Sequence, residues 1–466
     1  MPLRLVSTSH TPLRIRRAPP RLSGTSALGR ERIFLNINHG NENKTMTPIK
    51  DHLLLRISEG ESEMLEFLRR LIQVPTPNPP GDTTAAMDLV SQFLSQRGIP
   101  YEIVEPKQGM PNLIAMFSGG SDGPKLVLNG HLDVFPAGDL NRWSHDPWAA
   151  VQADGCIYGR GACDMKSGTT ALLFAFAELH AIRQHLRGSL VLTVVSDEET
   201  FGPWGAQYLV EHRKEVLGNC LLSGEPTSPY ALRFGEKGRL WVKIRVRTPG
   251  AHGAYVHMSP NPIAIAADLI ARLKSLEEIR SSADSPLTLT LQKNAATIDK
   301  AYGRGASEII SSTTLNVGVI KGGVKINMVP SDCEFEVDIR IPPEVPHQKV
   351  MERLKEIVAV FPEAELEVLD QNAASTSSPD HPMVQALIQN AKQLSDIEPK
   401  PIIALGGCDA RLWRYAGIPA FVYGPSPTGM GAADELVRVD EFLHVAKTYV
   451  LAAFDYLSNS ETPRSD

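Results

Sequence analysis

Four short stretches of this sequence combine residue types that hold cations or move protons. An apolar run, Lys125–Leu128, leads into Asn129-Gly130-His131-Leu132-Asp133, so His131 and Asp133 fall just past the carboxyl end of an expected strand. Ligands and catalytic groups gather at that edge of open α/β sheets. Gly159-Arg160-Gly161-Ala162-Cys163-Asp164-Met165-Lys166 brings Asp164 close to a helix expected to start near Ser167. A Gly-rich turn opening a helix can instead cradle a phosphate, but the G-x-x-x-x-G-K-[ST] spacing is absent. Ser196-Asp197-Glu198-Glu199 follows a β-branched strand, Ser189–Val195, and Gly224-Glu225-Pro226 follows the apolar Cys220–Leu222. Each stretch also has a bland reading, as a structural His–Asp pair or a solvated acidic loop. Adjacent acids repel one another, however, and at a strand end facing other ligands a cation relieves the repulsion. One imidazole and several carboxylates at successive strand ends form a donor set suited to zinc, and also to cobalt or manganese.

The elements that must position these groups follow from hydrophobic period. Glu61–Ile72 reads as an amphipathic helix, stopped by Pro75, Pro77, Pro79, Pro80 and Gly81. Thr169–Ile182 reads as a further helix between the strands at 125–128 and 189–195. Strands alternating with helices predict an α/β fold, a mostly parallel sheet covered by helices on both faces. The pattern changes near residue 235. Leu240, Val242, Ile244 and Val246 alternate with Trp241, Lys243 and Arg245, as in a half-buried strand. A helix at Ile263–Leu276, strands at Thr313–Ile320 and Cys333–Ile341, a helix at Gln348–Phe361 and a strand at Glu365–Leu369 complete the order βαββαβ. That order is a ferredoxin-like α+β unit. Helix–strand alternation then resumes through Met383–Leu394, Ala420–Tyr423 and Glu441–Leu457. The expected division is a tail over 1–48, a catalytic-type α/β domain over 49–234 and 371–460, and an inserted α+β unit over 235–370, the part that the resemblance described below makes a lid.

Composition narrows the class. Of 466 residues, 42% are hydrophobic and 21% charged, which excludes wholesale disorder. Forty-seven basic against 53 acidic residues leave a net charge of −6, so no nucleic-acid partner is expected. No run of about 18 uncharged apolar residues is present, so no membrane span is expected. Five scattered cysteines, Cys156, Cys163, Cys220, Cys333 and Cys408, fit a reduced, cytoplasm-like compartment. The first 45 residues are rich in arginine and poor in acids. That is the composition of an organelle-targeting segment. A disordered tail and a translation start at Met46 are the alternatives.

Taken together, the motifs resemble the co-catalytic metallopeptidases that include acetylornithine deacetylase, succinyl-diaminopimelate desuccinylase, aminoacylase and carboxypeptidase G. The resemblance runs from about residue 60 to 457. It includes Trp143 to Lys166, Asp197-Glu198-Glu199, Gly224-Glu225-Pro226, Asn327-Met328-Val329-Pro330 and Asp338-Ile339-Arg340. It implies an α/β catalytic domain with an inserted ferredoxin-like lid that dimerises. It also implies hydrolysis of a C–N bond in a small carboxylate-bearing substrate. By the same resemblance His131 and Glu225 bind one metal, Asp164 bridges two, and Glu199 binds the second. Asp133 orients His131, and Glu198 is the general base. His252, in Gly250-Ala251-His252-Gly253-Ala254, stabilises the oxyanion. Arg411 holds a substrate carboxylate, and Asn327 contacts substrate from the lid.

The chain departs from the family at one ligand. The pattern H-x-x-[ND]-E supplies the second metal with a histidine, whereas this sequence reads Gly431-Ala432-Ala433-Asp434-Glu435. Glycine coordinates nothing through a side chain, and zinc takes at least three protein ligands. The expectation is therefore one tight metal site and a weak or absent second, with Cys408, Asp409 and Glu435 as substitutes not distinguished by sequence. Three functional readings remain open at this point. They are hydrolysis of the amide of an N-acylated amino acid or short peptide, hydrolysis of another C–N bond such as an N-carbamoyl group or an activated aromatic amine, and a catalytically silent binding module.

Overall fold

The structure is a computed structural model and describes residues 14–17 and 42–459. The targeting or disordered character expected of the N-terminal tail falls mostly outside these residues. Within that tail, Arg14–Arg17 forms a strand antiparallel to Tyr101–Lys107. A helix, Glu42–Glu59, begins before residue 49, and its Ile49, Leu53 and Ile57 are buried at fourfold spacing. No described helix is long and apolar enough to cross a membrane.

The chain divides into two compact units. One comprises residues up to 230, with 380–399 and 416 onward; the other comprises 231–379 and 400–415. In the first unit the strand order is Arg14–Arg17, Tyr101–Lys107, Met110–Ser118, Arg187–Val195, Ser121–His131, Cys220–Ser223 and Ala420–Val422. The last four pair in parallel. Their interiors, such as Leu126–Leu128 and Cys220–Leu222, are buried, as strands covered on both faces must be. The sheet is thus mixed, with a parallel centre and an antiparallel edge made by the hairpin Tyr101–Lys107 and Met110–Ser118. The helix Ser167–Ala181 is buried almost all round. It packs against the sheet and against the long helix Val439–Ser458.

The second unit holds a four-stranded antiparallel sheet in the order Thr314–Gly322, Asp332–Ile341, Gly238–Arg247, Ala364–Asn372. This is the ferredoxin-like arrangement. Leu240, Val242, Ile244 and Val246 point to its core with Phe335, Val337 and Ile339, beneath the helices Pro262–Leu273 and His347–Ala359. Three short helices, Pro286–Lys293, Ala295–Tyr302 and Ala306–Ile309, interrupt the expected βαββαβ order without changing it. Lys400–Ala404 and Ala410–Tyr415, assigned by sequence to the catalytic domain, cluster instead with this unit. The reason is that Lys400–Ala404 pairs in parallel with Ala231–Glu236.

Candidate metal centre

Strand order explains the convergence of the acids. Ser121–His131 lies between Arg187–Val195 and Cys220–Ser223, with His131 opposite Val195 and Asn129 opposite Ser223. The three parallel strands end at one edge. His131 therefore emerges between the turn that carries Glu198 and Glu199 and the turn that carries Glu225. Asp164 arrives from the turn entering the buried helix Ser167–Ala181, which starts after Gly161 adopts a left-handed φ of 83°.

His131 Nε2 stands 3.4 Å from Asp164 Oδ1, 3.2 Å from Glu225 Oε1 and 3.9 Å from Glu198 Oε2. The ligand atoms of His131, Asp164 and Glu225 all lie within 4.8 Å of one another. Those three atoms are buried and lack a hydrogen-bond partner. Buried orphan acceptors are costly unless something satisfies them, and imidazole with two carboxylates is a donor set for a divalent ion. The residues present thus fit a metal at this position.

Charge points the same way. Burial lowers the proton affinity of His131, but the Asp164 and Glu225 carboxylates outweigh it and raise the imidazole well above its usual range. Burial, then the nearby Asp164 carboxylate, pushes Glu199 well above the ordinary carboxylate range. Both shifts favour the protonated forms.

The surrounding contacts refine the expected roles. His131 Nδ1 donates to the Asp133 backbone carbonyl at 2.8 Å, while the Asp133 carboxylate is 3.6 Å away. That hydrogen bond sets the tautomer and leaves Nε2 facing the Asp164 and Glu225 carboxylates. The Asp133 carboxylate instead accepts from the backbone N–H groups of Glu198 at 3.2 Å and Glu199 at 3.0 Å. Glu199 lies outside the trio, and its Oε1 accepts from Phe135 N–H at 3.1 Å.

The residues expected around a second metal have other surroundings. Gly431 has a left-handed φ of 71°, and a Cβ built there would meet the Phe135 ring at 3.8 Å. Glu435 is engaged elsewhere: it pairs with the buried Arg160 and accepts from Cys163 N–H at 3.0 Å and Asp164 N–H at 3.1 Å. Asp434 accepts from Ser144 through both oxygens. Cys408 and Asp409 belong to the other unit. There Cys408 N–H donates to Glu236 at 3.3 Å, and Asp409 lies 3.9 Å from Arg411.

The remaining candidates are also in the second unit. His252 pairs with Met328 in a short antiparallel ladder, which brings it beside Asn327. Gly253 N–H donates to the Asn327 carbonyl at 2.8 Å. His252 Nδ1 accepts from Ala254 N–H at 3.2 Å, so Nε2 carries the ring proton of this exposed side chain. Arg411 is buried in the same unit. Asn78, which contacts Asp133 and Asp197, had no signal in the motifs, and Glu435, named there as a substitute ligand, is found paired with Arg160 far away in sequence.

The model of peptidase family M20/M25/M40 matches residues 127–455. A succinyl-diaminopimelate desuccinylase of Gluconacetobacter diazotrophicus is 30% identical over 416 residues, covering 85% of this chain and 97% of the relative. The M20 family metallo-carboxypeptidase Sso-CP2 of Sulfolobus solfataricus superposes with a TM-score of 0.70 at 21% identity, over 84% of this chain and 99% of that one. The YXEP protein of Bacillus subtilis, a dinuclear metal-binding peptidase of the M20 family, does so at 0.60 and 17% identity, over 86% and 99%. The chain therefore belongs to the M20/M25/M40 peptidase family and is a hydrolase of that class.

Proposed function

We propose that the protein hydrolyses the amide C–N bond of a small N-acylated amino acid or short peptide bearing a carboxylate. In this reading His131, Asp164 and Glu225 hold one tightly bound divalent ion. The observation that carries it is the buried, unpartnered trio of ligand atoms within 4.8 Å. When bound, the ion supplies Lewis acidity to a water molecule and to the scissile carbonyl. Glu198, 3.9 Å from His131 Nε2, takes the proton from the attacking water and returns it to the leaving nitrogen. Asp133 holds the backbone of Glu198 and Glu199 in place through their N–H groups.

By the family resemblance we assign His252, whose Nε2 carries the ring proton, to stabilise the developing oxyanion. The planar guanidinium of Arg411 takes the substrate carboxylate, and Asn327 adds a polar contact. The second metal position, lacking a side chain at residue 431, is weak or empty in function.

A substrate panel with zinc, cobalt and manganese tests the reading. Release of a free carboxylic acid from N-acyl amino acids or peptides supports it. Release of ammonia with carbon dioxide would assign N-carbamoyl hydrolysis instead, and release of ammonia alone an activated amine. No turnover with any metal would favour a silent homologue.

The second unit also has an open edge. Thr314–Gly322 is an outer strand of its sheet. Its Ile320 is 52% exposed, and the adjoining Val324 and Ile326 are 92% and 101% exposed. An apolar open edge is a pairing surface, and a second copy of the chain is the proposed partner.

A further inference from the structure

The Pro-rich run after the helix Glu61–Ile72 does more than end it. Thr76 Oγ1 donates to the Leu132 carbonyl at 2.6 Å, and Val134 N–H donates to the Thr76 carbonyl at 3.0 Å. Asn78 N–H donates to the Val134 carbonyl at 2.8 Å. The run is thereby laid alongside the segment that follows His131. Asn78 is 4% exposed. Its side-chain nitrogen lies 2.9 Å from Asp133 Oδ2 and 3.1 Å from Asp197 Oδ1. A carboxamide nitrogen carries two hydrogens, and here each goes to a different buried carboxylate. The flipped amide would set its oxygen against two anions, so charge fixes the orientation.

Those two carboxylates grip one turn from both sides. Asp133 accepts from the N–H groups of Glu198 and Glu199. Asp197 accepts from Thr200 Oγ1 at 2.8 Å and from Trp204 N–H at 3.2 Å. Asp197 also has a left-handed φ of 67°. The turn folds so closely over it that a Cβ on Gly202 would fall 1.9 Å from its carboxylate. A non-glycine residue persists in that conformation where its surroundings over-determine it. Asn78 links the two halves of that grip and lessens the repulsion between two buried acids.

We infer that Asn78 is a positioning residue, a two-hydrogen bridge between Asp133 and Asp197 that fixes the Glu198–Glu199 turn beside His131. The inference rests on the reading of Glu198 as general base, and its test includes a readout that does not. Asn78→Leu keeps roughly the side-chain shape and removes both donors. Amide hydrogen exchange over 196–204 is expected to accelerate by about tenfold or more, while the strand 187–195 keeps its protection. Metal content is expected to stay at the wild-type level. On whichever substrate the wild type hydrolyses, kcat is expected to fall by about 10- to 100-fold, with KM within about threefold, as misplacement of a catalytic group requires. Asn78→Ser, which retains one donor, is expected to fall between, and it carries the test if the leucine variant fails to fold.

Unchanged exchange over 196–204, or acceleration spread evenly over the chain with kcat unchanged, would overturn the inference. If the wild type hydrolyses nothing, the proposed function fails while the exchange comparison still decides the role of Asn78.

Discussion

At the scale of single residues, the decisive feature is a histidine held by the groups around it in the orientation that the proposed metal site needs. His131 gives Nδ1–H to a backbone carbonyl and turns Nε2 toward two orphaned carboxylate oxygens. In the metal-free cluster the imidazole holds its proton well above the usual range, because Asp164 and Glu225 outweigh burial. An incoming ion must displace that proton. Calorimetric titration in buffers of different ionisation enthalpy should therefore show release of at least about one proton per ion near pH 7, and affinity should rise with pH. No proton release would contradict this arrangement. Glu198 is the proposed general base. Glu198→Ala should lower kcat by about 10²- to 10⁴-fold while bound metal, read by elemental analysis, stays at the wild-type content. At residue 431 the prediction concerns stoichiometry. Exhaustively dialysed wild-type protein should retain one ion per chain, and two tightly held ions would refute the account of Gly431.

At the scale of elements, two devices hold the site together. The parallel strands deliver His131, Glu198 and Glu225 to one edge, and a buried ion pair ties Asp164 to the segment after Gly431. Arg160 pairs with Glu435, whose other oxygen accepts from Cys163 and Asp164 N–H, while Arg160 Nη2 donates to the Ala432 carbonyl at 3.0 Å. Removing one partner strands the other charge in the interior. Glu435→Leu should lower stability by about 3–5 kcal/mol, and Arg160→Met with Glu435→Leu by clearly less. Denaturant unfolding measures both.

Much of this frame was legible in sequence. Period placed the helix Glu61–Ile72 and the alternation of Leu240 to Val246, and the strand-end motifs singled out His131, Asp164 and Glu225. What escaped has physical causes. The helices between 286 and 309 are too short for a 3.6-residue period to declare itself, although so long an unassigned stretch argues for hidden structure. Asn78 sits among prolines without any period. Glu435 meets Arg160 across 275 positions, and no local pattern encodes that meeting.

At the scale of the whole molecule, the chain has an α/β unit with the candidate trio His131, Asp164 and Glu225, and a ferredoxin-like unit with His252, Asn327 and Arg411. The exposed edge Thr314–Gly322 predicts self-association. Sedimentation at micromolar concentration should give a dimer for the wild type and a monomer for Ile320→Lys with Ile326→Asp. A wild-type monomer would count against that edge as an interface. The central claim is that hydrolysis depends on one divalent ion held by His131, Asp164 and Glu225. Its most direct test is to strip the protein of metal and titrate zinc, cobalt or manganese back, following bound ion and release of carboxylic acid from an N-acyl amino acid panel together. Activity should be absent at the start and should plateau at one ion per chain. Hydrolysis by the stripped protein, or a plateau reached at two ions, would contradict the account.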